Sequence, residues 1–329
     1  MATVLFFAST GMNLTTVLER KRRDDLRLAA NALFLIFAGF ADNYIQGTMW
    51  KADVFQSAGM AILAMLVLRR LFPLRWTWLF PLPYLLHLAN QHLYWKVAEG
   101  GVSSFFLTPG LFPLLPWLSF YLLGAHLKKY AGGMQGWLLG AGALVLLVAR
   151  TPFASFQFDK FWMSADYFLI GVAVVCWAFS GLREWMSEAT AEKMREIRLW
   201  GANSLVFYMT NNFVVRMLEM FIPHGVALLV ISIAVTALLM RPILGLQAWT
   251  GRREAAPILL GGVGIAALVF AVNVYLWPQS YYACTLASFG LAFAFVASHP
   301  AWKNFTRSLQ QRTRAARINY PPAQALAAD

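Results

Sequence analysis

The chain is short of charge. Of its 329 residues only 13% are Asp, Glu, Lys or Arg, where a soluble domain carries about 25%. Acidic residues are the scarcest: 15 against 27 Lys and Arg, which leaves a net charge of +12. So few ionic groups cannot cover a surface in water, and a solvent that is largely lipid is implied. Cysteine is almost missing. Cys176 and Cys284 each lie in an apolar run, which excludes a disulfide framework and a CxxC metal motif, and no metal is expected. No basic stretch precedes the first apolar run, "MATVLFFASTGMNLTTVL", which argues against a cleavable signal peptide. No basic groove interleaved with stacking aromatics occurs, so the positive charge does not point to nucleic acid.

What the chain has in quantity is apolar sequence: 59% hydrophobic residues and a mean hydropathy of +0.57. A membrane-spanning helix needs about 20 mostly apolar residues, and about eleven segments qualify. They lie near 2–18, 27–46, 53–70, 76–95, 108–127, 134–150, 165–182, 200–221, 224–245, 256–276 and 282–298. The first is the weakest, because Ser9, Thr10, Asn13, Thr15 and Thr16 interrupt it. The expected fold is an all-α, polytopic integral membrane bundle. It forms a single helical domain over 1–299, followed by a basic, partly flexible tail over 300–329.

Basic residues set the orientation. Alternate connections carry "ERKRRDD" (19–25), "RRLFPLR" (69–75), "LKK" (127–129), "LREWMSEATAEKMREIR" (182–198), "TGRRE" (250–254) and the tail. The intervening ones are poor in Lys and Arg. The positive-inside rule places the first set in the cytoplasm, the amino terminus outside and the carboxyl terminus inside, as for a bacterial inner-membrane protein. The stretch 183–198 reads as a solvated surface helix, since its charges alternate in sign.

Polar residues at membrane depth are costly and must face the bundle interior. They are Asp42, Asn43, Asp53, Gln56, His87, Asn90, Gln91, His92, Arg150, Asp166, Asn211, Asn212, Arg216 and Glu219. Most fall in the outer half, which suggests a polar hollow facing away from the cytoplasm. His87, Asn90 and Gln91 share one helical face at i, i+3 and i+4. His92 points about 140° away from His87, so the two do not make a metal-ligand pair. His87 is either a general base or a hydrogen-bonded histidine lining the bundle. Arg216 and Glu219, at i and i+3, make an ion pair along their own helix or an anion-binding arginine with its neighbour; Asp159 and Asp166 are the other carboxylates in prospect for Arg216. Asn211 and Asn212 can bond across helices.

These stretches carry a resemblance. "FPLLPWLSFYLLGAHLKK" (112–129) resembles the Pro-Trp to Gly helix of bacterial membrane proteins similar to heparan-alpha-glucosaminide N-acetyltransferase, within the membrane acyltransferase superfamily. "VFQSAGMAILAMLVL" (54–68) resembles that group's Gln-x-x-Gly helix through Gln56 and Gly59. "FFASTGMNLTTVLERKRR" (6–23) resembles its second helix, and "GANSLVFYMTNN" its late signature, through Gly201, Ser204, Leu205 and Tyr208.

The resemblance implies an acyltransferase-like fold. It also implies transfer of an acyl group, commonly acetyl from acetyl-CoA or another acyl-CoA, to a cell-envelope sugar, glycan or glycolipid. On that basis His87 or His92 is the base. Gln56, Asn211 and Asn212 are positioning groups, and Arg216, with Glu219 beside it, is an anion contact. Two departures matter. The group's first helix, with an Arg-Gly motif and a histidine, has no counterpart ahead of residue 2, and the late signature's histidine is Asn211 here. Asparagine takes up no proton at neutral pH. Either a further helix precedes residue 1, or the chain is a catalytically inactive acyltransferase-fold subunit. It would bind membrane lipids or pack against a partner in a larger membrane-protein complex.

Overall fold

In the computed structural model every defined element is a helix. The structure describes residues 2–20, 25–45, 52–73, 75–92, 105–107, 112–130, 134–150, 163–185, 199, 203–223, 225–271, 290, 294, 297–308 and 311, with no strand among them. The side chains of Asp42, His92, Asn212 and Arg216 lie outside what is described, as do Asp159, nearly all of 186–202, most of the span expected at 282–298 and the tail beyond 311.

The helices are α1 (Ala2–Arg20), α2 (Asp25–Ile45), α3 (Val54–Leu71), α4 (Leu82–His92), α5 (Leu114–Tyr130), α6 (Met134–Arg150), α7 (Ala165–Trp185), α8 (Ser204–Glu219), α9 (Val226–Gly251) and α10 (Ala255–Ala271). A short 3-10 turn, Trp76–Leu79, precedes α4. Among the described residues three stretches are long and apolar enough to cross a membrane: Val54–Leu71, Ala165–Leu182 and Val226–Gly251, with mean hydropathy 1.5, 1.7 and 2.3. Met134–Arg150 and Ala256–Ile265 are shorter and also apolar. These helices are compatible with membrane insertion.

The chain divides into two compact units. One comprises Met1–Asn43 and Thr48–Ala191, the other Tyr44–Gly47 and Glu192–Asp329.

At the heart of the first unit lies α1, the segment that reads as the least convincing span in the sequence. Phe7, Ala8 and Leu18 are fully buried. Four of its hydroxyls cost little because they are satisfied within the helix. Ser9 and Thr10 donate to the Phe6 carbonyl at 2.8 and 2.9 Å, Thr15 to Gly11 at 2.8 Å and Thr16 to Met12 at 3.4 Å. Such back-bonding hides a hydroxyl without a partner helix. The approach to α5 is closer still. A Cβ on Gly11 would land on the Tyr121 carbonyl, and a Cβ on Gly124 on the Ala8 carbonyl. Small residues let the two backbones touch, the usual solution where lipid supplies no hydrophobic drive between helices. Phe7 packs on Phe112, Trp117 and Tyr121 at 5.7, 5.0 and 4.8 Å between ring centres. The start of α1 thus meets the start of α5, and the two run parallel.

Helices α2 and α3 form an antiparallel hairpin joined along its length. Asp25 at the start of α2 pairs with Arg69 and Arg70 at the end of α3, at 3.4 and 3.0 Å. Midway, Gly59 lies against the Ala32 carbonyl and Gly39 against the Gln56 side chain. Antiparallel packing also joins α4 to α5, where the Tyr84 amide donates to Ser119 Oγ at 3.0 Å and Phe80 lies 5.5 Å from His126. It joins α6 to α7, where Trp177 Nε1 donates to the Trp137 carbonyl at 3.4 Å and the Trp177 indole covers Gly140. Trp117 meets Tyr167, and Phe120 meets Phe168, at 6.2 and 5.2 Å, so α5 and α7 run parallel. Each of these directions fits successive helices crossing in alternation: α1, α5 and α7 one way, their antiparallel neighbours the other.

In the second unit Thr236 of α9 approaches Asn211 of α8, with 3.1 Å between Oγ1 and Oδ1. Asn304 Nδ2, from the helical stretch 297–308, donates to the Gly251 carbonyl at 2.8 Å.

Candidate functional site

The organising feature of the site is that α4 is built inside out. Its buried face carries Tyr84, His87 and Asn90, while Leu82, Leu85 and Leu86 point outward. Leu85 and Leu86 are 56% and 49% exposed and His87 is 0% exposed. In water the hydrophobic effect would turn this helix over. The arrangement is stable where the surroundings are apolar and polar groups must find partners within the protein.

Around His87 the chain has assembled a specific packing. Tyr84, one turn earlier on α4, stacks face to face on Phe168 of α7 at 3.7 Å and 4°, with its ring 5.8 Å from the imidazole. The Tyr84 amide belongs to the first turn of α4, where no intrahelical carbonyl is available, and Ser119 Oγ accepts from it at 3.0 Å. The Tyr84 hydroxyl donates to the Met163 carbonyl at 3.4 Å. Met163 has φ 47°, in the left-handed region, which a non-glycine residue enters only when its surroundings hold it there. Ser164 follows, and its Oγ accepts from the Tyr167 amide at 3.3 Å, starting α7. Asp166 is buried in the first turn of α7, and its charge and that of Arg150 both act at Tyr84. One polar corner therefore collects α4, α5, α7 and the end of α6. In it the His87 imidazole lies beside the Tyr84 ring.

A second polar cluster closes the far end of the α2–α3 hairpin. Asn43 Nδ2 donates to Gln56 Oε1 at 2.9 Å, and the Asp53 amide donates to the same oxygen at 2.7 Å. Asp53 is the N-cap of α3 and Gln56 its N3 residue, so the pair forms a capping box. Asn43, Asp53 and Gln56 are all buried, and the Ala52 carbonyl beneath them accepts from the Phe112 amide at 3.0 Å. Gln56 Nε2 is buried with no hydrogen-bond partner among the described residues.

The residues expected from sequence thus fall into three places. His87 lies in the α4–α7 corner and Gln56 in the hairpin cluster, both within the first unit. Asn211 and Glu219 belong to α8 in the second unit. Asn211 faces Thr236, and Glu219 is half-buried at the end of its helix. The expected roles of His92, Asn212 and Arg216 fall on side chains outside the described residues.

Several residues central to the packing are not among those expected from the sequence. Tyr84, Ser119 and Met163 frame His87. Tyr121 and Ser57, both fully buried, are polar neighbours between α5 and α3. His126 sits among Trp78, Phe80 and Tyr130. The usable signal for these was spacing: Tyr84 and His87 lie three residues apart, and Ser119 and His126 seven apart. Set against known protein families, curated proteins and solved structures, the chain matches none.

Proposed function

We propose that the chain is an integral protein of a bacterial inner membrane, crossing it about eleven times, with its amino terminus outside and its carboxyl terminus in the cytoplasm. Its proposed activity is acyl transfer from a CoA thioester to a hydroxyl or amine of a cell-envelope sugar, glycan or glycolipid. The observation that carries this reading is the reversed burial of α4, which spends a whole helical face on placing His87 in an enclosed polar corner. The motif resemblance in α1, α3, α5 and α8 supports the reaction class. In the reaction the acceptor oxygen or nitrogen attacks the thioester carbonyl and its proton passes to the His87 imidazole. The carbon–sulfur bond then breaks, and the CoA thiolate leaves with that proton. General-base catalysis of this kind contributes about 10²–10⁴-fold.

The test uses the purified full-length chain in proteoliposomes with radiolabelled acetyl-CoA and an envelope glycan and glycolipid extract. Label should move to an acceptor with the parent protein, and His87→Gln should lose about a hundredfold or more. His92→Ala, run alongside, reports whether the second histidine contributes. Failure of the parent to label any fraction would overturn the enzymatic reading.

A specific observation favours a second reading, a catalytically inactive subunit of a membrane complex. Asn211 stands where the resembling group has a histidine, and it is engaged with Thr236 on α9, a bond that serves helix packing. On this reading a partner co-purifies stoichiometrically in mild detergent and no transfer is seen.

A further inference from the structure

One end of the first unit gathers cations and exposed aromatics on three neighbouring elements. Arg69 and Arg70 end α3, Arg75 precedes the 3-10 turn, and Lys128 and Lys129 end α5. These elements are in contact: the Trp76 amide donates to the Phe72 carbonyl at 3.0 Å, and Trp78 lies 4.6 Å from the His126 ring and 5.4 Å from the Tyr130 ring. Arg70, Arg75, Lys128 and Lys129 are exposed, and so are Leu71, Phe72 and Trp78 between them. Asp25 pairs with Arg69 and Arg70, and Glu19 is exposed at the end of α1.

We propose that this surface, built from Arg70, Arg75, Lys128 and Lys129 around Trp78 and Phe72, is a binding site for the phosphate headgroup of an anionic phospholipid. The positive-inside rule accounts for cations at this end of the helices, but it does not require them to converge. Three further features do point to a lipid. Apolar side chains are exposed among the cations, so a ligand with both a phosphate and acyl chains satisfies both. Trp78 and Tyr130 lie side by side with 5.4 Å between ring centres, and Trp and Tyr rings favour a membrane interface. His126 Nδ1, on a ring nine-tenths buried beneath Trp78, has no hydrogen-bond partner among the described residues. It offers a polar contact under the aromatic lid. The inference rests on the membrane reading and not on acyl transfer.

The full chain is purified in a neutral detergent and titrated with phosphatidylglycerol or phosphatidylcholine, with bound lipid counted by native mass spectrometry. Phosphatidylglycerol should bind more tightly than phosphatidylcholine. Arg75→Gln should weaken it roughly fivefold, and Arg75→Gln with Lys129→Gln roughly thirtyfold, as expected for cations at a lipid surface. Arg75→Lys with Lys129→Arg should restore binding and controls for folding. Arg252→Gln with Arg253→Gln, a basic pair elsewhere, should change binding less than twofold. Equal affinity for the two lipids would overturn the proposal, as would an equal loss in the Arg252, Arg253 variant. Competition by millimolar glycerol phosphate would show a soluble phosphate as the ligand and overturn the lipid assignment. A chain that stays in solution without detergent would instead overturn the membrane reading itself.

Discussion

Asn43 at the end of α2 and Gln56 in the first turn of α3 share one hydrogen bond, Nδ2 to Oε1 at 2.9 Å, and both side chains are buried. The same Gln56 oxygen accepts the Asp53 amide, so a single atom both caps α3 and closes the hairpin. Truncating Gln56 removes the acceptor that two buried donors share. An unsatisfied buried donor costs about 1–3 kcal/mol, whereas the measured worth of a bond between membrane helices averages about 0.6 kcal/mol. Gln56→Ala should therefore destabilise by about 2 kcal/mol, more than the bond itself is worth. Asn43→Leu with Gln56→Leu should cost less than the single truncation, because one stranded donor is removed. Thermal unfolding in detergent of the two singles and the double reads this out. Additive losses would show that the two residues do not act on each other.

The tightest backbone approach sets a second expectation. Gly11 and Gly124 leave no room for a methyl group, because the facing atoms are backbone carbonyls that cannot swing aside. Gly142, on α6, faces open space. Gly11→Ala and Gly124→Ala should each destabilise by about 1–3 kcal/mol, the usual cost of overpacking. Gly142→Ala should be neutral or stabilise by up to about 1 kcal/mol through helix propensity. The ranking of melting temperatures is the check, and a Gly11→Ala variant as stable as the parent would refute the crossing.

Much of this was legible in the residues before the coordinates. The helices at 54–71, 134–150 and 165–185 begin and end within a few residues of the apolar runs. The shared face of His87 and Asn90 follows from their spacing. Less legible was α1. Hydropathy counts a hydroxyl as a cost wherever it stands, while the helix absorbs four of them by bonding to its own carbonyls. Least legible was the choice of neighbours. Glycines such as Gly11 and Gly124 look alike in sequence whether they face a helix or open space. Tyr121, Ser57 and Ser119 carry no charge to mark them, so their burial at the joins of α3, α4 and α5 emerges only from packing.

The alternation of basic and non-basic connections along the sequence makes a topological prediction. In a background with Cys176→Ala and Cys284→Ala, single cysteines at Arg70, Lys129 and Arg253 should react with a membrane-impermeant maleimide from the cytoplasmic side. Cysteines at Phe106 and Val226, which precede α5 and α9, should react from the opposite side. All five positions are exposed, so access limits none of them. Labelling of Lys129 and Arg253 from opposite faces would break the alternation and, with it, the placement of the polar corner away from the cytoplasm.

Ser119 offers a way to separate chemistry from scaffolding at His87. Its Oγ holds the Tyr84 amide at 3.0 Å, and Tyr84 lies one helical turn before His87. Ser119→Ala leaves that amide without its acceptor, at a cost of about 1–3 kcal/mol, and lets the start of α4 shift. If His87 is the base, the variant should slow acyl transfer by about tenfold, as a small misplacement of a catalytic group does. The ascending limb of the pH–rate profile should survive, because the imidazole is still present. His87→Gln should remove that limb together with about 10²–10⁴ of the rate. A purely structural histidine would produce the reverse pattern. Both variants would then lose stability in proportion to rate, and whatever activity remained would keep the parent's pH dependence.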